Sequence, residues 1–235
     1  MKPPAPQQLT LDLPHRPALG AEDFLLSDSN RAAIALIDQW PDWPHPVLVL
    51  SGPAGSGKSH LAHVWQLRSG AASIAAVALG EDAIAAAGAP SPDTPSRCVV
   101  VEDIDRGVGD QRAMFHLLNL AREHRFHVLV TARTDPGDWE LTLPDLRSRL
   151  RQATLARIEA PDDGLLRAVL EKLFADRQLL IDPLVISQMT LRMERSMEAA
   201  VRLVAEIDRR ALETHRKVSR ALVAEVMGDA AGGVE

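Results

Sequence analysis

Residues Val47 to Ser59 read Val-Leu-Val-Leu-Ser-Gly-Pro-Ala-Gly-Ser-Gly-Lys-Ser. The opening Val47–Leu50 has the length and composition of a strand buried on both faces. The last eight residues, Gly52, Pro53, Ala54, Gly55, Ser56, Gly57, Lys58 and Ser59, match G-x-x-x-x-G-K-[ST] in full. A strand that runs through such a loop into a helix turns successive backbone N–H groups, and the positive end of the helix, toward one point. Lys58 is then placed to neutralise β- and γ-phosphates and the Ser59 hydroxyl to ligate Mg²⁺, with His60 next in the helix. The expected ligand is ADP or ATP, with Mg²⁺ as its companion ion.

Working outward, further short apolar runs at Ile74–Leu79, Cys98–Val101, His127–Thr131 and Ala153–Ile158 read as strands. Helical spacing lies between them at His60–Arg68, near Asp82–Ala87 and at Met114–His124, and upstream at Asn30–Trp40. Alternating strand and helix predict an α/β domain with a parallel sheet. Gly88-Ala-Pro-Ser-Pro-Asp-Thr-Pro-Ser reads as a surface loop. After Pro161 the strand pattern stops and four helices are expected at about 163–179, 184–192, 196–215 and 219–228, a small all-α domain. Asp182 before Pro183 reads as a helix cap and first turn, and Ser219 as another cap. The expected division is an arm over 1–20, carrying Pro3, Pro4, Pro6, Pro14 and Pro17, then 21–160, 161–228 and a tail at 229–235.

Three further places carry chemistry. Val99-Val-Val-Glu-Asp-Ile-Asp has the form of an apolar strand with an acidic tip that holds Mg²⁺ and orients water; Glu102 and Asp103 are the candidates, with Asp105 close by. Thr131 ends the next strand, where a polar residue can sense the γ-phosphate. Arg147-Ser-Arg-Leu-Arg sets three arginines before the last strand, either a solvated turn or a finger for a neighbour's nucleotide.

Charge and composition narrow the function. A net charge of −6, with 11 Lys+Arg against 13 Asp+Glu from Pro161 onward, disfavours unaided duplex binding. No apolar run is long enough to span a membrane, and prolines interrupt the first twenty residues where a signal peptide needs continuity, so a cytoplasmic protein is expected. Cys98 is the one cysteine and reads as a buried structural thiol. The four tryptophans, Trp40, Trp43, Trp65 and Trp139, read as packing residues. The pairs His60/His63 and His124/His127 lack a third ligand.

The order of these motifs resembles the AAA+ family, and over about 24–215 the ATPase domain of the replication initiator DnaA. The resemblance implies a P-loop AAA+ sheet ordered 5-1-4-3-2, with nucleotide held between sheet and helical lid. Phe24-Leu-Leu-Ser-Asp-Ser-Asn-Arg is similar to the initiator's opening segment and implies that Leu25 helps frame the adenine. Leu146-Arg-Ser-Arg-Leu is similar to the arginine-finger box, which makes Arg149 the finger. Glu194-Arg-Ser-Met-Glu-Ala-Ala is similar to the sensor 2 motif, which makes Arg195 the phosphate-sensing arginine. Glu102 departs from the pattern, standing where the initiator carries an aspartate, and this bears on Mg²⁺ binding and intrinsic turnover.

Two departures shape the expected function. The sequence ends Met227-Gly-Asp-Ala-Ala-Gly-Gly-Val-Glu where the initiator continues into a basic helix-turn-helix. Its arm carries Gln8-Leu-Thr-Leu-Asp-Leu, similar to peptides that dock on the replication sliding clamp, with Gln8, Leu9, Leu11 and Leu13 as the docking residues. The combination resembles the Hda family, regulatory relatives of DnaA. That resemblance implies docking on the DNA polymerase sliding clamp, pairing with ATP-bound DnaA, stimulation of its hydrolysis by Arg149, and prevention of re-initiation near the replisome. Intrinsic ATPase activity is then weak, and a homodimer is compatible with the architecture. The competing reading is an autonomous AAA+ ATPase of helicase-loader or transposition-helper type; a small-molecule kinase fits less well, having no need of Arg195 and a helical lid.

Overall fold

A computed structural model of the chain describes residues 25–87, 97–123 and 126–232, and of residues 229–232 the backbone alone. The arm at 1–20 and the loop at 88–96 lie outside the described residues. The chain forms two compact units that divide between Leu165 and Leu166.

The first unit runs α1 (Arg31–Asp38), β1 (Val47–Ser51), α2 (Lys58–Ser69), β2 (Ala72–Ala75), α3 (Glu81–Ala87), β3 (Cys98–Glu102), α4 (Gln111–Glu123), β4 (His127–Ala132), α5 (Pro144–Gln152) and β5 (Thr154–Arg157). The five strands form one parallel sheet in the order β2-β3-β4-β1-β5, the expected 5-1-4-3-2 read from the other edge. Residue parity explains why the strands are apolar throughout. Val47, Val49, Val99, Val101, Val128 and Val130 face α4 and α5, where Met114, Leu117, Leu146 and Leu150 pack. Leu48, Leu50, Val100 and Leu129 face Ile37 of α1 and Leu61 and Trp65 of α2. Both faces are covered, so no alternation with polar residues is tolerated.

One strand and two helices of this unit differ most from the sequence reading. β2 covers Ala72–Ala75 rather than 74–79, and Ala76–Ala78 form a 3₁₀ turn. As an edge strand it pairs only with β3, and the ladder ends at Ala75 opposite Glu102. α4 begins before Met114 because Asp110 caps it, its carboxylate accepting from the N–H groups of Arg112 at 2.8 Å and Ala113 at 3.1 Å. α5 occupies the arginine-rich stretch read as a turn or finger box. Pro144 sits in its first turn, only Leu146 and Leu150 are buried, and Gln111 accepts from the N–H groups of Thr142 and Leu143 just before it, each at 3.0 Å.

The second unit packs the end of α6 (Asp163–Asp176) with α7 (Pro183–Arg192), α8 (Met197–Thr214) and α9 (Arg220–Gly232) around Leu170, Phe174, Ile186, Met189, Val204, Ile207 and Val226. Asp182 caps α7 through Leu184 N–H, and Ser196 caps α8 through Ala199 N–H. α6 stops short of 179 because Gln178 takes a left-handed conformation, φ 56°, which lets Leu179 N–H close back on Phe174 O. The last helix continues through Gly232, past its expected end at 228. Among the described residues no helix is long and apolar enough to cross a membrane.

Candidate functional site

The cradle follows β1 at the C-terminal edge of the sheet. Its first glycine is required by space: a Cβ on Gly52 would lie 2.2 Å from the carbonyl oxygen of Ile158, just past β5. Gly55 and Gly57 take φ of 68° and 102°, a region glycine enters without steric cost, and Gly57 caps α2. Lys58 Nζ donates to Gly52 O at 2.6 Å and Pro53 O at 2.7 Å, which holds the ammonium inside the loop. Burial lowers its pKa, opposed by the charges of Asp103 and Asp105 and reinforced by Arg133. Ser56 Oγ is buried and meets no hydrogen-bond partner among the described residues. Loop amides, a buried ammonium and an unpartnered hydroxyl at a helix N-terminus suit phosphate oxygens, so these residues fit a nucleotide. Ser59 is exposed in the first turn of α2, beside half-buried His60.

The acidic tip separates the two candidate carboxylates. Glu102, last in β3, accepts from Ser73 Oγ of the edge strand β2, on the side of β3 away from β1. Asp103 leaves the strand in a left-handed conformation, φ 55° and ψ 47°, and its N–H donates to Thr131 Oγ1 at 3.0 Å. Its carboxylate pairs with Arg106 at 3.2 Å across a 3₁₀ turn. Asp105 accepts from Arg133 N–H at 3.1 Å. Asp103 and Thr131 therefore form one hydrogen-bonded unit, and the charge of Asp103 bears on Lys58.

A further polar cluster ties the strand ends beneath the cradle, and no sequence pattern pointed to it. Ser51 Oγ donates to Asp135 at 2.8 Å, and Arg157 Nε donates to the same carboxylate at 3.0 Å. The Arg157 hydrogen bond holds the Asp135 carboxyl below the usual range, with Ser51 adding to it. Leu25 belongs to the segment that runs along this edge: its carbonyl accepts from Asn30 Nδ2 at 2.9 Å, and Ser29 O accepts from Glu159 N–H at 2.9 Å.

Arg149 lies elsewhere. It lines a cavity with Val47, the first residue of β1, whereas the cradle follows Ser51, the last. Its guanidinium stacks over Phe115, 5.3 Å from the ring centroid. Arg195 belongs to the helical unit, next to the Ser196 cap. Gln8, Leu9, Leu11 and Leu13 lie outside the described residues. Cys98 is buried, which pushes its thiol up to about 11. Trp43, Trp65 and Trp139 are buried, with Trp43 stacked on Trp65 and Trp40 edge-on to it, so they pack as expected.

Comparison with solved structures identifies the fold as that of the AAA+ P-loop ATPases. Domain III of the Thermotoga maritima replication initiation protein DnaA is similar with a TM-score of 0.74 at 15% identity, over 92% of this chain and 98% of that one. A replication initiator DnaA bound to AMPPCP and single-stranded DNA is similar with a TM-score of 0.64 at 16% identity, over 85% of this chain and 68% of that one. The Thermotoga maritima RuvB Holliday junction branch migration motor gives a TM-score of 0.64 at 19% identity, over 84% of this chain and 65% of its own. No family profile and no curated protein sequence matches the chain. The chain has a DnaA-like AAA+ fold.

Proposed function

We propose that this protein is a nucleotide-switched regulator of replication initiation of the Hda type: it docks on the sliding clamp and stimulates ATP hydrolysis by DnaA. The observation that carries the reading is the placement of Arg149. It shares a cavity with the first residue of β1, while the cradle begins after the last. At about 3.3 Å per residue, the five-residue β1 separates them by roughly 13 Å of strand alone. An arginine so placed serves a nucleotide held by another chain, and the partner named by the resemblance is DnaA.

The protein's own cradle then acts as the switch. Bound nucleotide brings the phosphate charge on which the switch turns. Lys58 and Ser56 Oγ would hold the phosphate oxygens, and Ser59 would hold the Mg²⁺ that accompanies ADP or ATP. Asp103, fixed through Thr131 and paired with Arg106, is positioned to hold water, and its engagement by Arg106 keeps intrinsic turnover weak. Leu25 and Arg195 would frame the adenine and sense the phosphates, and Gln8, Leu9, Leu11 and Leu13 would fill the clamp's peptide groove.

The test is hydrolysis of DnaA-bound ATP in the presence of DNA-loaded clamp. The intact protein should accelerate it, and Gln8→Ala should abolish the acceleration by preventing docking. Acceleration that survives Gln8→Ala unchanged would remove the clamp from the account. A second reading, an autonomous self-assembling ATPase, draws on the Asp103–Thr131 unit beside Lys58. It requires ATP turnover by the protein alone that rises steeply with its concentration.

A further inference from the structure

The cavity that contains Arg149 holds more chemistry than a single finger. It measures about 200 Å³ and is lined by His45, Val47, Leu118, Arg122, Arg149 and Gln152. Four of these six are polar and none is acidic. Each guanidinium offers donors and no acceptor. His45 Nδ1 lies 3.1 Å from Val47 N and 3.2 Å from Val47 O, so the ring is held against the start of β1 through that nitrogen. Gln152 adds an amide. Neither Arg122 nor Arg149 forms an ion pair or hydrogen bond among the described residues.

The helices explain how two guanidiniums come to share this space. Phe115, Leu118 and Arg122 lie three and four residues apart along α4, so they follow one face of the helix. Arg149 reaches across from α5 to stack on Phe115, the first of the three, while Arg122 ends the row. The aromatic ring fixes one arginine without neutralising it, and the cavity wall carries the other. A small space lined by donors, with two uncompensated positive charges, suits an anion with several acceptor oxygens, and a phosphoryl group has that chemistry. The protein's own cradle follows the opposite end of β1, so a nucleotide held there cannot supply it.

We infer that Arg122 is a second phosphoryl-contacting residue, acting with Arg149 on the terminal phosphoryl group of a nucleotide held by a neighbouring chain. This rests on the reading that Arg149 acts on DnaA-bound ATP. In that hydrolysis the oxygen of water bonds to the γ-phosphorus and the bond from the γ-phosphorus to the β–γ bridging oxygen breaks. The electron pair leaves on ADP, and the proton from water passes to solvent. Charge on the transferring group and the leaving oxygen is what paired guanidiniums stabilise.

The experiment titrates the protein to saturation in the DnaA hydrolysis assay with DNA-loaded clamp, comparing Arg122→Ala, Arg122→Lys and Arg149→Ala with the intact chain. Arg122→Ala should lower the maximal rate about a hundredfold to a thousandfold, the scale of losing one transition-state donor, without changing the half-saturating concentration. Arg122→Lys should recover part of the loss, since charge returns but the planar fork does not. If Arg149→Ala collapses the rate while Arg122→Ala leaves the maximum intact, this inference is overturned and the proposed function stands. A change in half-saturation alone marks Arg122 as a docking residue and also overturns it. If neither arginine matters, the proposed function fails and the inference falls with it. ADP affinity and thermal melting of each variant monitor the fold; should Arg122→Ala unfold, Arg122→Lys decides the question, an unchanged maximum overturning the inference.

Discussion

At the scale of single residues, Gly52 and Lys58 set the cradle. Because a Cβ at residue 52 would lie only 2.2 Å from Ile158 O, Gly52→Ala must push β1 and the segment after β5 apart. The variant should melt at lower temperature and bind ADP more weakly, seen by thermal denaturation and calorimetry. Lys58→Ala removes the charged donor and should weaken ADP binding by roughly tenfold to a hundredfold, the value of one charge-assisted hydrogen bond. Arg106→Ala frees the Asp103 carboxylate from its 3.2 Å partner. Basal ATP turnover by the protein alone should then rise, and phosphate release that stays flat or falls would show that Arg106 does not restrain Asp103. Asp135 gives the pH dependence. Its folded pKa is depressed by Arg157 and Ser51, so its contribution to stability is present above the unfolded value of about 3.9 and is lost as pH falls through the folded value. Asp135→Asn should therefore destabilise the protein at neutral pH and flatten the loss of stability below about pH 4, measured by urea unfolding across that range.

At the scale of elements, what could be read in advance follows from where the apolar residues lie. β1, β3 and β4 are central strands whose alternate residues enter two different cores, so their sequences are continuously apolar and their bounds were legible to within a residue. β2, at the edge, carries its apolar pattern on into a 3₁₀ turn, and only its pairing with β3 fixes its end. α5 was hidden for the opposite reason: two buried leucines among charged residues give no stripe, and the helix depends on Gln111, far away in sequence, to anchor its start. Cys98, the tryptophans and the α7 cap were legible because local chemistry decides them. The Ser51–Asp135–Arg157 cluster and the Arg122–Arg149 cavity were not, since strand order and helix packing bring their members together. The caps give a direct check: Asp182→Ala and Ser196→Ala should each cost about 1 kcal/mol in denaturant unfolding.

At the scale of the whole molecule, a parallel sheet gives its two edges different work. All five strands point the same way, so the cradle, Asp103 and Thr131 collect at their C-terminal ends. Arg149, Arg122 and His45 collect beside the start of β1. On the proposed function, one edge holds the protein's own nucleotide and the other presents donors to a partner's. The account's central claim is that the second edge does its chemistry on DnaA. The most direct measurement loads DnaA with ATP labelled at the γ-phosphate, fills this protein's own cradle with unlabelled ADP, and follows labelled phosphate release with DNA-loaded clamp. The account predicts rapid release with the intact protein and a fall of at least a thousandfold in the stimulated rate with Arg149→Ala, the scale of an arginine finger. Stimulated release that is the same with Arg149→Ala as with the intact protein would contradict it.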